Sequence, residues 1–136
     1  MEQTWWHQAI ALLGGRLEKN ESYSGSTICN TGYNKKDFSK ISFLARQGRL
    51  GKPDMILICG ATNDSWAGAP IGEYKYSNWT AQDLYSFRPA LAKLFSDLKR
   101  NYPGAKIYFI LNSQLSAAIN ESVHTVCAHC NVPCID

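Results

Sequence analysis

No apolar run in these 136 residues approaches the length needed to cross a bilayer, so no membrane span is expected. The opening residues, MEQTWWHQ, carry neither a basic stretch nor an apolar signal core; no export signal is visible, and the compartment stays open. A basic stripe is missing too. The 14 Lys and Arg stand against 11 Asp and Glu, a net charge of +3, and only Lys35-Lys36 and Lys99-Arg100 are adjacent. That scatter argues against nucleic acid as a partner. Charge is sparse, at 18% beside 45% hydrophobic residues, the balance of a folded chain. There is no internal repeat and no low-complexity segment, and the length suits a single domain over residues 1–136.

A disulfide framework is also absent. The five cysteines, Cys29, Cys59, Cys127, Cys130 and Cys134, are odd in number and unevenly spaced. Cys59 falls in an apolar run, where a thiol acts as a small hydrophobe. Cys127-x-x-Cys130, with His124, His129 and Cys134 nearby, has some zinc character. Structural zinc sites usually draw ligand pairs from two separated segments, and here there is one cluster. The preferred reading is therefore no metal, with these thiols packing a helix end against a sheet.

What is present is alternation of strand and helix. Met55–Cys59 is an unbroken apolar run, read as a strand covered on both faces of a parallel sheet, and Gly60 ends it. Ala105–Leu111 reads the same way after the Pro103-Gly104 turn, and Pro133–Ile135 starts a further strand. A helix capped by Thr4 runs through Trp5, Ala9 and Leu13 to Gly14-Gly15, and Leu17–Tyr23 reads as a short polar strand. Thr31–Ser39 looks irregular, and Ile41–Leu50 reads as a short helix. Asp64–Trp79 reads as a long loop with Trp66, Tyr74, Tyr76 and Trp79, either flooring a ligand pocket or anchoring itself. Thr80-x-x-Asp83 resembles a capping box for a helix bearing Leu84, Phe87, Leu91, Leu94, Phe95 and Leu98, which Pro89 should kink or restart. Leu115–Cys130 is the last helix. This alternation predicts an α/β fold, a three-layer α/β/α sandwich with a mainly parallel sheet. A chain stopping just as a strand begins predicts a domain that continues past Asp136 and starts before Met1; its open sheet edge would favour a homo-oligomer.

Two polar loops, each after an expected strand, are the candidates for chemistry. In open α/β sheets ligands bind beyond the carboxyl ends of the strands. Gly25 can offer a backbone N–H with no Cβ in the way, and Asn63 can offer its side-chain NH₂, the donor types an oxyanion requires. The structural alternative is that Asn63 and Asp64 cap the next turn.

The chain resembles the SGNH hydrolases, also known as the GDSL lipases and esterases. Tyr23-Ser24-Gly25-Ser26-Thr27 is similar to the family's second block and Gly60-Ala61-Thr62-Asn63-Asp64 to its third. The resemblance implies a flavodoxin-like fold, hydrolysis of a small-molecule acyl ester such as an acetylated carbohydrate or lipid, and no cofactor. It makes Gly25 and Asn63 oxyanion donors, with Ser24, Asp64 and Trp66 as substrate contacts beside them. The first block, GDS with the nucleophilic Ser, and the fourth, with Asp and His, have no counterpart here. The chain alone is therefore expected to be inactive. Ala61 stands where the third block usually has Gly, with Gly60 one place earlier. Asn20, Asn63, Asn78 and Asn120 each open an N-x-S/T sequon; these read as chance matches, since a glycosylated Asn63 could not serve as a donor. Two other readings stay open: a non-catalytic carbohydrate- or small-ligand-binding module, and a zinc-bound domain.

Overall fold

The computed structural model describes residues 5–12 and 14–136, with the backbone alone for residues 5–7 and 9. The expected Thr4 cap and the Leu13 position of that helix lie outside the described residues. The architecture is α/β, a parallel three-stranded sheet with helices on both sides. Helix α1 spans Trp5–Leu12 and α2 Phe43–Arg46; β1 is Met55–Gly60, α3 Thr62–Ala67, α4 Phe87–Asn101, β2 Lys106–Leu111, α5 Ala117–Cys130 and β3 Cys134–Ile135.

The strand order is β1-β2-β3, every pairing parallel, with Met55 opposite Lys106 and Phe109 opposite Cys134. Parallel neighbours need a crossover, supplied by α4 and then α5. On the covered face Ile56, Ile58, Ile107, Phe109 and Leu111 are buried, and Phe95 of α4 meets Phe109 edge-on at 6.2 Å. The opposite row is more open: Leu57 is half-buried and Cys59 exposed. The expectation that β1 is covered on both faces, with Cys59 as a core thiol, is corrected. An uninterrupted apolar run does not distinguish full burial from burial on alternate residues.

Leu17–Tyr23 is irregular chain rather than a strand; Arg46, not a ladder partner, ties it down by donating to the Glu21 carbonyl. The expected helix over Ile41–Leu50 is four residues of α2, capped by the Ser42 hydroxyl, followed by a 3₁₀ turn. The expected loop from Asp64 opens as helix, because Gly68 at φ +69° closes the last turn of α3 from the left-handed region. The Thr80–Asp83 box forms, Thr80 N donating to Asp83 Oδ2 at 2.8 Å and Asp83 N to Thr80 Oγ1 at 3.2 Å. It caps a 3₁₀ turn over Gln82–Tyr85; α4 then restarts at Phe87 with Pro89 in its first turn, where no amide donor is missed. Phe87, Leu91, Leu94, Phe95 and Leu98 form its buried face as expected, and Ser116 sets the start of α5 by capping Ile119 N at 3.3 Å.

Candidate active site

The site is built at the carboxyl end of the sheet. Beyond β1 the chain turns at Ala61, φ +77°, and enters α3 with Asn63 and Asp64 in its first turn. Asn112, just past β2, donates to Thr62 Oγ1 at 3.4 Å, and Ser116 N to Ser65 Oγ at 2.8 Å, so α3 rests across the ends of both strands. The displaced glycine has a steric reason. A Cβ on Gly60 would come within 2.8 Å of the Phe43 ring and 3.0 Å of Ile28, so residue 60 must be small, while Ala61 tolerates the positive φ that glycine adopts freely.

Asp64 is 1% exposed and accepts Ile28 N at 2.8 Å and Cys29 N at 3.2 Å. Burial pushes its pKa up to about 6, against the downward pull of those two amides. Burial and the nearby Asp64 charge also push the Cys29 thiol well above its ordinary value. The carboxylate therefore has no face open to a substrate. In place of the expected substrate contact, Asp64 anchors the segment that carries Gly25.

That segment makes a tight turn, Ser26 N donating to Tyr23 O at 3.1 Å with Gly25 at φ +83° in its third position. This is a type II turn, in which the third residue needs a positive φ. Among the described residues no hydrogen bond uses Gly25 N–H, which leaves it a free donor. Arg46, 6% exposed, braces the turn from beneath: Nη2 donates to Ser26 Oγ at 2.7 Å and Nε to Ile41 O at 2.8 Å. Its guanidinium lies over the Tyr23 ring at 5.6 Å and the Phe43 ring at 5.3 Å.

Asn63 closes the arrangement. Its Nδ2 donates to Ser26 O at 3.0 Å, and its Oδ1 accepts from Tyr33 Oη at 2.7 Å. The Asn63 amide therefore touches the residue next to Gly25. Nδ2 carries two N–H groups, and the Ser26 carbonyl takes one. Ser24, on the same turn, is exposed.

The four expected aromatics separate. Trp66 is 65% exposed, whereas Tyr74 lies under Arg88 at 4.1 Å and Tyr76 stacks on His129 at 3.6 Å. Trp79 donates to Lys75 O at 3.0 Å. The stretch after Gly68 is thus anchored on the domain's own helices, and of the four only Trp66, on α3, stands exposed. His124 and His129 are engaged on α5, His124 Nε2 lying 3.8 Å from Asp136 Oδ1. Of the cysteine cluster, Cys127 is buried in the core, and that burial, with Cys134 nearby, pushes its thiol well above the ordinary value. Among the described residues, the set that brings metal-type ligand atoms within 4.8 Å of one another is His124, Cys134 and Asp136, two of them exposed, and not the Cys-x-x-Cys pair.

A family model for GDSL-like lipases and acylhydrolases matches residues 1–136. The chain belongs to the GDSL-like lipase/acylhydrolase family. A candidate GDSL-like lipase from Bacteroides ovatus is 55% identical, with TM-score 0.95 over 97% of this chain and 64% of its own. A second, from Bacteroides uniformis, is 53% identical, with TM-score 0.98 over 100% of this chain and 64% of its own. The GDSL-like segment described here thus spans 64% of the length of each. A Lactobacillus plantarum protein, 20% identical with TM-score 0.76 over 99% of this chain and 68% of its own, shares the fold. The comparison with curated proteins gave no match.

Tyr33 and Arg46 are residues of the candidate site that sequence reasoning missed. Tyr33 sits in chain read as irregular, and its partner lies 30 positions away. Arg46 sits at the end of a short helix, where a basic residue needs no further explanation.

Proposed function

We propose that the protein carrying this segment hydrolyses small acyl esters, with Gly25 N–H and Asn63 Nδ2 as two donors of its oxyanion hole. A Ser nucleophile and a His base from blocks outside residues 1–136 complete the reaction. Attack of the Ser hydroxyl on the ester carbonyl places negative charge on the carbonyl oxygen. Donors already aimed at that oxygen stabilise the charge without having to reorganise. The observation that carries this reading is the 3.0 Å contact from Asn63 Nδ2 to Ser26 O, one residue from the free Gly25 amide. The test is turnover of p-nitrophenyl acetate by the full reading frame that contains the segment, against residues 1–136 alone. Saturable turnover by the former and none by the latter is expected; an inert full-length protein rejects the proposal.

A second reading, carbohydrate binding without chemistry, is favoured by the 65% exposure of Trp66, a free aromatic face beside Asn63. Calorimetry of the same full-length protein with acetylated sugars separates the two, since this reading requires binding heat without product.

A further inference from the structure

We propose that Tyr33 is a positioning residue that fixes the Asn63 amide for oxyanion stabilisation, an inference that rests on the hydrolase reading above. A primary amide can present either end to its surroundings, and only one end donates. At Asn63 both ends are assigned. The Tyr33 hydroxyl donates to Oδ1 at 2.7 Å, and Nδ2 donates to Ser26 O at 3.0 Å. Rotating the amide by half a turn would set Oδ1 against the Ser26 carbonyl, two acceptors facing each other. It would also take the acceptor away from the Tyr33 hydroxyl. The second N–H of Nδ2 is thereby held in a defined direction. Donation into Oδ1 also draws electron density from the amide nitrogen, so its N–H groups become better donors.

The turn that delivers Tyr33 is built for a fixed position. Gly32 N donates to Lys36 O at 2.8 Å, Lys36 N to Tyr33 O at 3.1 Å and Phe38 N to Asn30 O at 2.7 Å. Asn34 and Lys35 both hold positive φ, 57° and 59°, a conformation unfavourable for residues with a Cβ and kept only when its surroundings demand it. A Cβ on Gly32 would run into the Phe38 ring, which closes the turn from behind. From outside, Thr31 Oγ1 donates to Tyr85 O at 2.6 Å and Tyr85 Oη to Asp37 Oδ1 at 3.0 Å. These bonds tie the turn to the 3₁₀ segment ahead of α4.

The experiment replaces Tyr33 with Phe in the full-length protein, which keeps the ring and removes the hydroxyl alone. The kcat for p-nitrophenyl acetate should fall roughly tenfold, the weight of one hydrogen bond, with KM changed by less than about twofold. In an Asn63→Ala background the same change should cost nothing further, because the residue through which Tyr33 acts is gone. Nitrogen-15 spectra, with the Asn63 side-chain signal assigned from its loss in Asn63→Ala, should show that signal shifted in Tyr33→Phe. An unmoved signal, an unchanged kcat, or an equal loss in both backgrounds each overturns the inference. An inert wild-type protein sinks the hydrolase reading itself, a result distinguishable from these because it precedes any variant.

Discussion

Asp64 Oδ2 accepts the Ile28 amide at 2.8 Å, a bond between residues 36 positions apart that fixes the glycine turn against α3. With the Cys29 amide on its other oxygen, this buried carboxylate joins two chain segments that share no β-ladder. The donors proposed for the oxyanion hole are therefore held together by a carboxylate that is itself buried.

Asp64 makes stability depend on pH in an unusual direction. Its folded pKa of about 6 lies above its ordinary 3.8. Below 3.8 both states hold the proton; as pH rises to about 6 the unfolded chain releases it first, so the Asp64 contribution is lost over that window. Asp64→Asn does not titrate and leaves one backbone amide facing an NH₂, which should cost about 1–3 kcal/mol near pH 3.5. The gap to wild type should close by pH 7. Urea denaturation across that range checks it, and a gap that widens with pH contradicts the assignment.

On the hydrolase reading, Asn63→Ala in the full-length protein should lower kcat for acyl esters about 10²–10³-fold, the usual loss for one oxyanion donor, while KM moves little. Steady-state kinetics with p-nitrophenyl acetate decide it. A rise in KM at constant kcat would assign Asn63 to substrate binding instead.

Ala61 at φ +77° carries left-handed strain of about 1–2 kcal/mol that glycine would relieve. Loss of the buried methyl and the greater chain entropy of glycine work against that gain. Ala61→Gly should therefore change stability by less than about 1 kcal/mol. Ala90→Gly, equally buried but inside α4, should cost about 1–2 kcal/mol. Equal losses at the two sites, measured by thermal or chemical denaturation, would refute the argument.

Arg46→Lys should loosen the chain before the glycine turn. A guanidinium reaches Glu21 O, Ile41 O and Ser26 Oγ together, and an ammonium cannot reproduce that fork. A stability loss of roughly 2–4 kcal/mol is expected. Faster proteolysis should appear within residues 17–23; cleavage spread evenly over the chain would speak against a local brace.

The strands β1 and β2 and the helices α4 and α5 were legible because their signals lie within contiguous residues, in apolar runs or helical spacing. Asn63 and Gly25 drew notice in the same way, through their motif context, and their role as donors remains the proposal made above. The irregular path of Leu17–Tyr23 was not legible, since a strand exists only through a partner and the sequence does not say whether one is beside it. Asp64 read as a substrate contact because its position in the motif carries no information on burial.

By itself, then, the sequence determined the alternating elements, the family and which two groups, one backbone N–H and one side-chain amide, are of the type to donate to an oxyanion. Only the tertiary structure decided that Asp64 is an anchor, that Arg46 braces the turn and that Tyr33 orients Asn63. Periodicity and propensity act among near neighbours in the chain. A hydrogen bond between residues 30 or 36 positions apart depends on where folding brings them.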